Sequence, residues 1–124
     1  MPNQGQSPKG KKYDLAERTA TFGEMMVDFV KSVQETVVTR SLLSQVMRSG
    51  TSIGANYMEA DAAESKRDFE HKIRLCKKEA KETMHWLRML AKAAPDKKDV
   101  CRRLWREAHE LALIFSAIAK KKLE

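Results

Sequence analysis

The chain has 124 residues and a formal net charge of +7, and its composition is 42% hydrophobic and 33% charged, with five glycines and three prolines. A chain of this size can bury one core, and this composition favours a helical protein. No apolar run approaches the roughly 20 residues that span a bilayer, and the first twelve residues lack the apolar middle of a secretion signal, which predicts a cytoplasmic, non-membrane protein. The positive charge favours anionic partners without identifying one.

The first elements in chain order are a tail and two helices. Residues 1–12 mix Pro, Gly, Gln, Ser and Lys without periodicity, which predicts a disordered basic tail ahead of one domain at 13–122. Asp14 followed by Glu17 resembles a capping box, and apolar residues spaced by four and three predict a first helix at about 14–35. Candidate caps and β-branched residues mark a short turn before a second helix at about 39–62.

Two further helices follow. Ser65 with Asp68 signals the start of a third helix at about 65–94, which Pro95 ends. Asp96 can cap a fourth helix at about 97–121. Short connections between long amphipathic helices predict an all-α, antiparallel up-down-up-down four-helix bundle.

The two cysteines lie on either side of the turn at Pro95. Cys76 is 19 residues before it and Cys101 is 6 residues after it. In a helical hairpin these separations correspond to roughly 28 Å and 9 Å from the turn. A disulfide needs Cα atoms within about 7 Å, so both cysteines are expected to be reduced and buried.

Gly50 and Gly54 interrupt an otherwise helical segment, although each glycine inside a helix costs about 1 kcal/mol relative to alanine. They stay in phase with the apolar residues around them, and no strand precedes them as it would in a phosphate-binding loop. The pattern therefore predicts a continuous helix whose small residues let another backbone approach. The predicted packing residues are Ser49, Gly50, Ile53, Gly54 and Asn56.

A polar stripe runs beside these glycines. It has two interpretations, a solvent-exposed face or a hydrogen-bonded seam against a neighbouring helix or subunit. Its members are Gln45, Ser49, Ser52, Asn56 and Glu59.

Several motifs in this part of the chain belong to a recognisable pattern. They are Arg48 to Asn56 (RSGTSIGAN), Glu59-Ala60, Ser65 with Asp68-Phe69, Lys78 to Thr83, and Trp86-Leu87 with Leu90. The segment closely resembles the four-helix-bundle family that includes proteins encoded by intervening sequences inside bacterial 23S rRNA genes. It is also similar to the accessory variability protein of diversity-generating retroelements. The resemblance implies a homopentameric ring, with RNA or DNA and a reverse transcriptase as expected partners.

Basic residues form a second stripe along the third helix, at spacings of four and three. It contains Arg67, His71, Arg74, Lys78, Lys81, His85, Arg88 and Lys92. Six of these are permanently cationic and could follow a phosphate backbone over roughly 37 Å, so Arg67, Arg74, Lys78, Lys81, Arg88 and Lys92 are the predicted nucleic-acid contacts. The alternative is a solvated face with Glu70–Arg74 and Asp68–Lys72 pairs. No base-reading motif occurs, so sequence-specific recognition is not indicated.

A third line on the same helix mixes apolar bulk with acid, since Glu79 and Glu82 precede Trp86 and Met89. Interfaces favour Trp and Met, so the predicted subunit contacts are Trp86, Met89, Met58 and Trp105. Alternatively, Trp86 closes the edge of the core.

Catalysis is not expected. His71 and His85 would stand about 21 Å apart and cannot share a metal. No cofactor or metal site is predicted. The expected function is therefore a non-enzymatic oligomeric scaffold that binds nucleic acid without sequence specificity, together with a protein partner. The alternative is a protein-only assembly module with no nucleic-acid role.

Overall fold

The computed structural model describes residues 14–123, which form four α-helices and, within that range, no strands. The helices are α1 (Leu15–Ser32), α2 (Thr39–Asp61), α3 (Lys66–Ala93) and α4 (Lys98–Leu123), with a 3-10 turn at Pro95–Lys97. The predicted all-α class is confirmed. The predicted tail at 1–12 lies outside the described residues.

Local hydrogen bonds explain where the helices begin. Asp14 Oδ1 accepts a bond from the Glu17 amide at 3.1 Å, and Ser65 Oγ accepts one from the Asp68 amide at 3.0 Å. Both predicted capping signals are therefore present. Asp96, by contrast, lies inside the 3-10 turn, and α4 begins two residues later.

Threonines shape the connection between α1 and α2, which contains no glycine or proline. α1 ends at Ser32, three residues earlier than predicted, because Val33 is extended with φ −93° and ψ 133°. Thr39 Oγ1 accepts a bond from the Thr36 amide at 2.8 Å, and Thr36 Oγ1 accepts one from the Thr39 amide at 3.1 Å. This reciprocal pair satisfies amides that the first turn of α2 leaves without helical partners.

Each helix packs mainly on its neighbour in sequence, so that α1 contacts α2, α2 contacts α3 and α3 contacts α4. α1 and α4 touch at few points. Large side chains from all four helices fill the core between them, and the fully buried ones include Phe22, Met26, Ile53, Ile73, Leu87, Leu111 and Phe115. This burial of apolar surface is the main stabilising term of the fold.

The glycine segment is helical throughout, which confirms the prediction of a continuous α2 across residues 48–60. A Cβ atom on Gly50 would lie 2.8 Å from Met26 Cγ. A Cβ atom on Gly54 would lie 3.3 Å from the main-chain oxygen of Thr19. The two glycines therefore let α2 approach α1 more closely than side chains would permit.

Small polar groups fill part of the contact between α2 and α3. The hydroxyls of Ser49 and Thr83 are buried and lie 2.8 Å apart. Near the end of α2, Lys72 donates to Glu59 at 2.7 Å. Asn56 instead donates to the Ser52 carbonyl within α2. The polar stripe of α2 thus forms a seam with α3 at Ser49 and Glu59, while Ser52 and Asn56 bond within their own helix.

Both cysteines are free and buried, as predicted. Burial raises the pKa of Cys76 to about 12 and that of Cys101 to about 11. These thiols therefore stay protonated near neutral pH, which makes them poor nucleophiles. In the part of the chain that the structure describes, no helix has the length and apolar character needed to cross a membrane.

Two glycines of the α1–α2 contact, Gly23 and Gly50, should respond differently to alanine. At Gly23 the added Cβ would meet Thr51 Cα at 3.7 Å, an ordinary contact. Gly23→Ala should therefore raise the free energy of unfolding by up to about 1 kcal/mol, because alanine favours the helix. Gly50→Ala should lower it by about 1–3 kcal/mol, because the new methyl group collides with Met26. Urea unfolding measures both changes, and an unchanged midpoint for Gly50→Ala would contradict the close-approach explanation.

Candidate nucleic-acid interface

The basic stripe lies on the solvent side of α3. Each member lies two residues before a residue that is buried or packs against the core, for example Arg74 before Cys76 and Lys78 before Ala80. Two residues turn an α-helix by about 200°, so burial of one stripe exposes the other. All eight members are exposed, namely Arg67, His71, Arg74, Lys78, Lys81, His85, Arg88 and Lys92.

The six permanent cations of this stripe are not neutralised by ion pairs within residues 14–123. The Glu70–Arg74 pair considered from the sequence does not form in this range, and Lys72 pairs with Glu59 of α2 instead of Asp68. The stripe therefore carries six positive charges over a length of about 37 Å.

Two acids on α3 are engaged by α2. Arg48 contacts Glu79 at 3.2 Å and also bonds to Glu82. Trp86 Nε1 donates to Glu82 Oε2 at 3.1 Å. The bond from Trp86, followed by the bond and charge of Arg48, lowers the pKa of Glu82 below its usual value. Glu79 and Glu82 are thus bound to Arg48 on the α2 side of α3.

A similar separation of charge occurs on α4. Arg18 of α1 makes a two-point contact with Glu107, at 2.8 Å and 2.9 Å, and also bonds to Glu110. The bond to Glu107 raises the pKa of Arg18 further above its usual value. Glu107 and Glu110 therefore face α1. Arg102 and Arg106 line the contact between α4 and α3.

These α4 cations were not among the residues predicted from the sequence. A usable signal was the group of three arginines around Trp105, in Arg102-Arg103-Leu104-Trp105-Arg106. The structure shows in addition that Arg88 of the stripe lines the same cavity as Arg102 and Arg106, a proximity that the sequence does not reveal.

The four residues predicted as subunit contacts occupy different positions. Met58 is 59% exposed on α2. Trp86 is half-buried, packs against the core and bonds to Glu82 on the α2 side of α3, and Met89 is also half-buried. Trp105 lies on the other side of the stripe, between α3 and α4, and stacks on His109 with 5.0 Å between ring centroids.

The histidines and thiols do not assemble into a metal-binding group. His85 contacts the edge of Trp86, with 4.9 Å between ring centroids. Among the described residues, no cluster of three or more His, Cys, Asp or Glu side chains is suitably placed to hold a metal ion.

Comparison with known proteins gives the family. Residues 11–117 match the 23S rRNA-intervening sequence protein family. The chain belongs to this family. The match includes the whole of α1, α2 and α3, and most of α4. The 23S rRNA-intervening sequence protein resemblance predicted from the motifs of α2 and α3 is confirmed.

A solved relative supports the fold of this intervening-sequence family protein. It is a protein of unknown function from the S23 ribosomal protein family of Bacteroides thetaiotaomicron VPI-5482. The two structures superimpose with a TM-score of 0.76 at 30% sequence identity, over 86% of this chain and 98% of the other. A search of curated proteins gave no match.

Stability at low pH should report the contact between Glu82, Trp86 and Arg48. The pKa of Glu82 is lowered in the folded protein, so its stabilisation is complete above the unfolded-state value near 4.5. It is lost as the pH falls through the lower folded-state pKa. Glu82→Gln should therefore make the decline in unfolding free energy below about pH 4.5 shallower.

Thermal melts between neutral and acidic pH measure this decline. Glu24→Gln is the matched control, because Glu24 is exposed on α1 and forms no ion pair within the described range. Parallel curves for Glu82→Gln and the wild type would show that the contact contributes nothing.

Proposed function

We propose that this protein is a non-enzymatic oligomeric scaffold that binds nucleic acid through the basic stripe of α3 without sequence specificity. The main observation in support of this function is the exposure of all eight stripe residues. The six permanent cations among them form no ion pairs within residues 14–123. A protein that neutralises phosphates releases counterions, which drives binding whatever the base sequence. Contacts to phosphate position a protein on nucleic acid but do not read bases.

The geometry of the stripe suits a phosphate backbone. Its members are separated by about 4.5–6 Å along the helix axis, since each residue of α3 rises about 1.5 Å. Its six permanent cations are about 4.5–10.5 Å apart. A duplex carries one charge per about 1.7 Å of its axis, so several phosphates lie within reach of each stretch of stripe. A repeated subunit would present several such ridges.

A protein-only assembly module is the second candidate, with lysines and arginines that serve solubility. Large apolar side chains on the surface favour it, since Val37 is 85% exposed and Met58 is 59% exposed. By family resemblance, a reverse transcriptase is the protein partner to test. Both candidates are assembly functions without a chemical step, which the engaged acids Glu79 and Glu82 and the buried thiols support.

We also propose the finer architecture, an antiparallel up-down-up-down bundle that assembles into a homopentamer. Pairings such as Gly54 with Thr19 and Gly50 with Met26 support opposite directions for α1 and α2. Ser49 with Thr83 and Glu59 with Lys72 support the same for α2 and α3. Of the four predicted subunit contacts, Met58, Trp86 and Met89 remain proposed here. Trp105 lines the cavity between α3 and α4 and is assigned to that cavity instead.

Salt dependence should distinguish the two candidate functions. Binding of the wild type to RNA or duplex DNA should weaken steeply with salt. Replacing four stripe cations with glutamine should flatten the slope of log affinity against log salt by up to about 3–4. The variant carries Arg74→Gln, Lys78→Gln, Lys81→Gln and Arg88→Gln.

The control for this titration removes four exposed cations that lie outside the stripe. It carries Lys31→Gln, Arg103→Gln, Lys120→Gln and Lys121→Gln. Fluorescence anisotropy across a salt series should give a smaller change for this control. If the wild type shows no binding to RNA or DNA at low salt, the protein-only module is left standing.

The oligomeric state is tested by native mass measurement. A homopentamer of the 14.2 kDa chain should have a mass of about 71 kDa. Met58→Glu should shift the population toward smaller species, because it places a charge in the proposed contact. Met25→Glu, at another exposed methionine, is the control. A monomeric wild type across micromolar concentrations would refute the pentamer.

A further inference from the structure

The contact between α3 and α4 contains an open groove of about 340 Å³. Apolar side chains form its floor, with Leu87 and Cys101 buried and Ala91 and Trp105 half-buried. A groove of this size with an aromatic side chain in its lining is within the range that binds small organic groups.

The rim of this groove is basic. Arg88 lies on the α3 side, and Lys98, Arg102 and Arg106 lie on the α4 side, all of them exposed. None of the eight lining residues is acidic. The ion pair formed on this rim within the described residues is a long one, 3.8 Å from Arg102 to Asp99, whose side chain is 86% exposed. The groove therefore has a strong preference for an anionic occupant.

Trp105 gives the occupant a second property. Within the described residues, the indole N–H of Trp105 has no hydrogen-bond partner. Every buried side-chain nitrogen in that range is hydrogen-bonded, so the N–H of Trp105 must be exposed to solvent. Trp86 differs, because its N–H is already bonded to Glu82. Trp105 thus offers an apolar ring and a free donor beside four cations, and its stacking on His109 holds the ring in place.

We propose that this groove binds one unstacked base of a single-stranded nucleic acid. The base packs against Trp105, and Arg88, Arg102 and Arg106 contact the flanking phosphates. A base has a flat aromatic face that packs on the indole ring, and its phosphates match the rim. The indole N–H points outward in the plane of the ring, where it can donate to a sugar or phosphate oxygen beside the stacked base. Aromatic stacking of this kind is tolerant of base identity.

Continuity with the stripe supports this occupant over a separate small anion. Arg88 belongs both to the stripe and to the rim, so a strand that follows the stripe reaches the groove at that residue. A duplex keeps its bases stacked and cannot place one there without unstacking. The inference rests on the proposed nucleic-acid function and adds to it a preference for single strands.

The direct test compares two labelled oligonucleotides of about 12 nucleotides at low salt. One is oligothymidylate, and the other has the same phosphates but abasic spacers in place of its bases. The wild type should bind oligothymidylate roughly tenfold more tightly, because base stacking on an aromatic residue contributes about that much. In Trp105→Leu this difference should largely disappear. Leu113→Ala, at an exposed apolar residue of α4 outside the groove, is the control and should keep it.

A second arm tests the rim. Arg102→Gln with Arg106→Gln should weaken the binding of both oligonucleotides, since it removes phosphate contacts. Arg103→Gln with Lys120→Gln removes the same charge from α4 outside the groove and should have a smaller effect. In a Trp86→Phe protein, Trp105 is the single remaining tryptophan. Oligothymidylate should quench its fluorescence, while the abasic strand should quench it less.

The outcomes separate the two proposals. Equal wild-type affinity for the two oligonucleotides overturns the groove inference, even if Trp105→Leu fails to fold, and leaves stripe binding intact. Tighter binding to a duplex of the same length overturns it as well. Binding of polyglutamate in a Trp105-dependent manner, without oligonucleotide binding, would assign the groove to an acidic protein. Absence of binding to every nucleic acid overturns both proposals.

Discussion

The close approach of α2 to both of its neighbours determines the arrangement of the molecule. On one side, Gly50 and Gly54 bring the α2 backbone against α1. A methyl group on Gly54 would lie 3.3 Å from the main-chain oxygen of Thr19, and one on Gly50 would lie 2.8 Å from Met26 Cγ. On the other side, the small Ser49 meets Thr83 in a buried hydroxyl pair. Because α2 is held from both sides, α3 must present one fixed face to the core. Its opposite face, which carries the basic stripe, is left to solvent.

Pairing of acids inside the molecule concentrates positive charge on the outside of α3. Glu79 and Glu82 bind Arg48, Glu59 binds Lys72, and Glu107 and Glu110 bind Arg18. These acids occupy contacts between helices and do not lie along the stripe. The local potential near α3 is therefore more positive than a net charge of +7 spread evenly over the surface would produce. Such a local field favours phosphate-rich partners and speeds their association.

The stripe and the α3–α4 groove have complementary chemistry. The stripe is long and rich in cations, which suits a backbone of phosphates and gives no means to distinguish bases. The groove is short and contains Trp105 and an available indole N–H, which suits an exposed base. Arg88 connects the two surfaces. In the proposed complex, charge supplies the strength of binding, and the aromatic side chain supplies the choice between single and double strands.

The sequence by itself determined the all-α class, the starts of α1 and α3, and the exposed stripe, because each depends on contacts within one helix. The capping residues are three positions apart, Asp14 with Glu17 and Ser65 with Asp68. The stripe lies on the face of α3 opposite the apolar residues, whose helical spacing is visible in the sequence. The threonine turn that ends α1 at Ser32 was less visible, since it uses neither glycine nor proline. Only the tertiary structure decided that Arg48 reaches Glu79 and Glu82, 31 and 34 residues away, and that Trp105 joins Arg88 in a groove. Such pairings depend on the rotation and spacing of packed helices, which the periodicity of a single helix does not specify.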